Sequence, residues 1–129
     1  SLKPMKKIIN TSNAPEAIGP YSQAVEINNT LYISGQLPLH PETMEMPEGI
    51  EDQIDQVMKN IGAILHAAGY SYEDVVKSTI FLSDIADFQV VNVFYGKYYQ
   101  ADPPARSAFQ VANLPKGAKV EIETIAVKE

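Results

Sequence analysis

Arg106 is the residue whose type and setting invite chemistry first. It follows Pro103-Pro104-Ala105 and opens the largely apolar segment Ser107-Ala108-Phe109. A guanidinium presents a planar fork that matches a carboxylate through two charge-assisted hydrogen bonds, so an anion clamp is one reading. The plainer alternative is an edge arginine in a surface salt bridge. Glu121 and Glu123 share one face of an apolar stretch, where a carboxylate is costly unless it is paired or used. Either can orient or deprotonate a water. Either can equally be a partly solvated charge beside a lysine such as Lys119, and the pattern does not choose between them. Tyr21 follows the rigid Gly19-Pro20 turn, which would aim its phenol outward toward a ligand or pack it on neighbours. Ser34-Gly35 ends an extended segment, and glycine permits close backbone approach of a ligand or a simple bend. Asn92 is a polar reader or a surface amide.

Other chemistries are excluded. The chain has two histidines and no cysteine. Neither His40 nor His66 has a partner at metal-ligand spacing, which argues against a zinc site and a Ser-His-Asp triad. Thiol nucleophiles and disulfides are ruled out, and a reducing compartment fits. No phosphate loop or dinucleotide fingerprint occurs. The formal net charge of −6 disfavours a nucleic-acid partner. No apolar run is long enough to span a membrane, so a cytoplasmic protein is expected. Ser1–Pro4 reads as a cloning remnant ahead of a native start at Met5, with residues 5–129 as one domain.

The elements that must position these residues follow from periodicity. Lys6–Asn10 is expected as a first strand. Tyr21–Ile27 and Thr30–Gly35 flank Asn28-Asn29, the signature of a hairpin. Leu37–Gly49, with three prolines, reads as a loop. Ile50, Ile54, Val57, Met58, Ile61, Ile64, Leu65 and Ala68 recur at helical spacing, within a sector of roughly 120°. Asp52, Asp55 and Lys59 point away, His66 falls on the solvent side, and Gly69 suits a left-handed cap. Val75–Leu82 predicts a buried strand. Asp84 and Asp87 predict the start of a helix over Ile85–Tyr99, stopped by Asp102-Pro103-Pro104. Arg106–Val111 and Val120–Val127 read as strands separated by a Pro115-Lys116-Gly117 turn. Together these predict an α+β fold: a mixed sheet with two helices on one side. The last strand carries apolar residues on both faces, so the uncovered face predicts either another subunit or a further segment of the same chain.

Several ordered blocks then coincide with one family. Gly19-Pro20-Tyr21-Ser22-Gln23-Ala24-Val25 and Tyr32-Ile33-Ser34-Gly35-Gln36-Leu37-Pro38 come first. Ala67-Ala68-Gly69, Val75-Val76-Lys77-Ser78-Thr79 and Phe88 through Asn92 follow. Pro104-Ala105-Arg106-Ser107 and Val120-Glu121-Ile122-Glu123 complete the set. Over roughly Met5 to Lys128 the chain resembles the RidA/YjgF family of enamine/imine deaminases.

The resemblance implies a chorismate-mutase-like fold in a homotrimer with ligand clefts between subunits. It also implies hydrolysis of 2-aminoacrylate- and 2-aminocrotonate-type intermediates to 2-oxo acids and ammonia, with no cofactor or metal. Carried over by position, Arg106 matches the family's carboxylate-binding arginine and Glu121 its water-positioning glutamate. Tyr21, Ser34 and Asn92 match cleft residues, and Gly35 offers its backbone amide. Where many relatives have a cysteine this chain has Ala108, which leaves only the backbone carbonyl to act there. The competing readings are a non-catalytic binder of small 2-oxo acids and an RNA-acting translation inhibitor.

Overall fold

The computed structural model describes residues 5–129; the remnant expected at Ser1–Pro4 lies outside the described residues. In chain order come β1 (Lys7–Ile9), β2 (Ala24–Ile27), β3 (Thr30–Gln36), α1 (Ile50–Ala67), β4 (Val75–Leu82), α2 (Phe88–Gly96), β5 (Ala105–Gln110) and β6 (Val120–Val127). This is the succession of strands and helices that the sequence predicts. The strands form one sheet in the order β1-β2-β3-β6-β4-β5. Among the described residues only β4 and β5 run parallel, joined across α2. The final strand is therefore central, inserted between β3 and β4 with both edges paired.

Local chemistry sets the elements. Asn28 and Asn29 both take left-handed backbone angles (φ 50 and 57), the two-residue turn whose twist suits a tight hairpin. The apolar stripe of α1 is wholly buried at Ile54, Val57, Met58, Ile61 and Ile64. Each such side chain contributes roughly 2 kcal/mol by leaving water. Gly69 (φ 80) ends this helix, with Tyr70 N–H returning to the Leu65 carbonyl at 2.8 Å.

Three expectations need correction. The strand expected from Tyr21 begins only at Ala24, because Tyr21 N–H turns back to the Gly19 carbonyl (2.9 Å) across Pro20. The helix expected over Ile85–Tyr99 is tightened at both ends. Ile85–Asp87 forms a 3₁₀ turn with Asp84 accepting from Ala86 N–H, and Tyr98 and Tyr99 bond three residues back. The tightened tail turns Tyr98 toward α1, where its hydroxyl donates to Asp55 at 3.0 Å. Lastly, β4 is not buried on both sides. Val75, Ser78, Ile80 and Leu82 are buried, whereas Val76 is 46 % exposed.

Both helices cover one face, over a core that includes Leu31, Ile33, Ile80, Leu82, Ile122 and Ala126. The opposite face presents Tyr32, Phe109 and Val127 in the open, with Phe81 edge-on to Phe109 at 5.4 Å.

Candidate active site

The chemistry-bearing residues collect in two places. The first is the junction of α2 with the edge strand β5. Arg106 is in register with Ser78, which is fully buried under the helices, so Arg106 lies on the helix side of the sheet. Phe88, Asn92 and Tyr95 fall at helical spacing along one stripe of α2 and meet it there. Arg106 Nη1 donates to Asn92 Oδ1 at 2.7 Å. The guanidinium carbon lies 5.4 Å from the Phe88 ring centre and 5.3 Å from that of Tyr95. Burial pushes the Tyr95 phenol up, against the pull of the Arg106 charge, so a neutral ring stands beside the cation. Rings and amide fix the fork without neutralising it, which is the state needed to receive an anion. A cavity of about 450 Å³ opens here between Asn92, Tyr95, Pro104 and Arg106. Ala108, two residues along β5 and half-buried, shares the helix side with Arg106.

The second place lies on the opposite, open face. A cleft of about 460 Å³ is bounded by Tyr21, Ser34, Gly35, Pro115, Glu121 and Glu123. Its floor is a break in the β3–β6 register between Ile33 and Gln36, the kind of bulge that re-aims side chains. Ser34 is held three ways. Its N–H donates to the Gln23 carbonyl (2.9 Å), its hydroxyl to the Ser22 carbonyl (2.6 Å), and its own carbonyl accepts from Gln36 Nε2 (3.0 Å). The hydroxyl oxygen keeps lone pairs for an incoming donor. Gly35 lies flush against Glu121: a β-carbon there would overlap Glu121 Oε2 and stand 3.0 Å from its Cδ. Glu121 is half-buried, and burial together with the neighbouring charge of Glu123 raises its carboxyl above the usual carboxylate range. The structure thus separates the two glutamates that the pattern leaves equal: Glu121 packs on Gly35, whereas Glu123 is exposed.

Within one chain these halves do not meet. Glu121 is in register with Phe81, on the face away from the helices, and Phe81 with Phe109. Two strand spacings separate β6 from β5, about 10 Å, and Arg106 points through the other side of the sheet.

Three buried amides that the sequence reading did not single out build the frame. Gln23 donates to the carbonyls of Thr11, Ala14 and Pro15 and accepts from Thr11 N–H at 2.7 Å, tying the N-terminal segment beneath Tyr21. Gln53 accepts from Lys119 N–H and donates to the Pro47 carbonyl, each at 2.8 Å. Asn60 donates to the carbonyls of Leu37 and Leu39, both at 3.0 Å. The only signal for the last two is their position flanking the apolar stripe of α1.

Known proteins align with this architecture along most of its length. The family model described as endoribonuclease L-PSP matches residues 11–128. The chain belongs to the RidA/YjgF family. It is 54 % identical to Reactive Intermediate Deaminase A, chloroplastic, of Arabidopsis thaliana, over 94 % of this chain and 65 % of that protein. It is 50 % identical to the Mus musculus 2-iminobutanoate/2-iminopropanoate deaminase, over 96 % of this chain and 93 % of that protein. Among solved structures, E. coli TdcF with bound serine superposes with a TM-score of 0.92 at 45 % identity, covering 95 % of this chain and 99 % of that one. No helix among the described residues is long and apolar enough to cross a membrane.

Proposed function

We propose that this RidA/YjgF chain is a 2-iminobutanoate/2-iminopropanoate deaminase that works at sites formed between subunits of a homotrimer. Water adds to the C=N bond of a 2-imino acid, and the adduct releases ammonia to leave the 2-oxo acid. Arg106 receives the carboxylate in its fork and holds the adjacent carbon in place, an entropic advantage for attack. Glu121, raised by burial and by Glu123, orients the water, takes its proton and returns it to the adduct's nitrogen, which leaves as ammonia. Ser34 and the Gly35 amide line the approach, Tyr21 closes it, and the Ala108 carbonyl faces the substrate from the Arg106 side. Glu121 and Glu123 make this half of the site anionic, which suits a protonated imine and repels a phosphodiester.

The observation that carries the reading is the division of the site. The Arg106 fork, held by Asn92, and the half-buried Glu121 carboxylate lie on opposite faces of one chain. A second copy brings them together, and the apolar open face supplies the surface for it.

Mixed subunits test this. Arg106→Ala and Glu121→Gln are each expected to abolish the acceleration of 2-iminobutanoate hydrolysis. When the two variants are co-refolded in equal amounts, random assembly leaves about a quarter of the inter-subunit sites with both residues intact. Activity returning to about that fraction supports the shared site. No recovery in a mixed trimer would place both residues in one subunit's site, and retained activity in either single variant would place that residue outside the mechanism. Binding of 2-oxobutanoate without turnover by the wild type would leave a ligand sensor.

A further inference from the structure

We infer that an apolar cavity beside the Glu121 cleft receives the substrate's side chain and makes this chain favour imino acids with larger apolar side chains, such as isobutyl, over those with methyl. The inference rests on the deaminase reading for where the reacting carbon sits.

The cavity measures about 380 Å³, within the range of small-molecule sites, about 300–1,000 Å³. It shares Tyr21, Gly35, Leu37 and Pro115 with the Glu121 cleft, so the two spaces are contiguous. The remaining wall is set by Ile18, Leu39 and Met44.

Part of its polar lining is already committed. Gln23 uses both ends of its amide on Thr11, Ala14 and Pro15, and Gln36 Nε2 donates to the Ser34 carbonyl. Glu16 and Lys116, the charged side chains along the cavity, are both exposed. Most of what faces an incoming group is therefore hydrocarbon.

The wall is also pre-formed. Asn60 holds the carbonyls of Leu37 and Leu39, and the turn carrying Met44 is closed by bonds between His40 and Glu45 and between Met44 and His40, each 2.8 Å. A methyl group would leave most of this space to water. A four-carbon side chain would displace that water from apolar walls, and the flexible thioether of Met44 adapts to its shape.

The test compares kcat/KM for imines generated in place by an amino-acid oxidase from leucine and from alanine. Calorimetric binding of 4-methyl-2-oxopentanoate against pyruvate is measured in parallel. Each additional buried methylene is worth about fourfold, so the wild-type preference for isobutyl over methyl is expected on the order of 50-fold. Met44→Trp fills the cavity and is expected to lower that ratio by at least about tenfold. Ile18→Trp, at a position 68 % exposed and so tolerant of substitution, narrows it from the other side with the same direction. A wild-type ratio of one or below overturns the inference. So does a ratio unmoved by both variants when thermal unfolding shows them folded. If no imine is hydrolysed faster than in buffer, the deaminase reading fails on its own, and the oxo-acid binding ratio decides the side-chain pocket separately.

Discussion

Gly35→Ala isolates the contact between the β3 bulge and Glu121. The glycine is not in the left-handed region, so alanine is compatible with its backbone. The obstacle is local: the new methyl would overlap Glu121 Oε2 and press on Cδ at 3.0 Å and Cγ at 3.3 Å. Ordinary carbon contacts require about 3.5 Å or more, so the carboxylate must swing away by at least about 1 Å. Swinging the tip of a flexible side chain costs little, and alanine in a strand recovers some of the entropy that glycine loses on folding. Stability should therefore stay within about 1 kcal/mol of wild type. Turnover should not. A misplacement of about 1 Å in a positioning group costs on the order of 100-fold. The assay is kcat on freshly generated 2-iminobutanoate, alongside thermal unfolding and 2-oxobutanoate binding. A Gly35→Ala, Glu121→Gln double variant should lose no more than Glu121→Gln alone, because both act through one carboxylate. A folded Gly35→Ala variant with kcat near wild type would refute the assignment of Glu121 to the water. Additive losses would mean that Gly35 acts through its own amide instead.

Two further outcomes bear on the frame and the charge. Because burial and Glu123 raise the Glu121 carboxyl, the folded chain holds that proton more tightly than the unfolded chain does. The associated stability is complete below the ordinary carboxylate range and declines as pH rises through the raised folded value. Glu121→Gln should therefore raise the unfolding temperature at neutral pH and lose that advantage near pH 3.5 or below, with an unfolding series across pH as the check. A Gln variant less stable than wild type at pH 7 would show that Glu121 is structurally satisfied. Gln23→Ala strands up to four backbone groups beneath Tyr21 and should cost about 2–4 kcal/mol in chemical denaturation; a loss under about 1 kcal/mol would mean that water replaces the amide without strain.

The parts of this fold legible in the sequence are those set by one repeated spacing. The stripe of α1 and the alternation of β6 each bury a single face, and the Asn28-Asn29 turn needs only local backbone freedom. The ends of α2 and the start of β2 were not legible, since each is decided by a few short-range bonds that compete with regular structure. Gln53 and Asn60 look like solvent-facing amides until the loops they hold have folded onto them. Residue type draws attention to Arg106 and leaves Glu121 and Glu123 equal; only the family resemblance selects Glu121 and Asn92, and neither route gives their arrangement. The Arg106–Asn92 bond spans a strand and a helix, and the placement of Glu121 on the opposite face follows from β6 inserting between β3 and β4. No local pattern encodes that insertion.

The electrostatics of the single chain fit the shared site proposed above. Arg106 is held by a neutral amide and two rings, and Glu121 is flanked by a like charge; no cation figures among the causes of its shift. A chain optimised only for its own stability would pair these groups or replace them. In the proposed assembly, keeping them apart on two faces of a rigid sheet preserves an unspent positive fork and an unspent carboxylate until a second subunit supplies the complement. On that proposal, a substrate bearing a carboxylate at one end and a protonated imine at the other completes the charge balance of the joint site, which no single chain can do for itself.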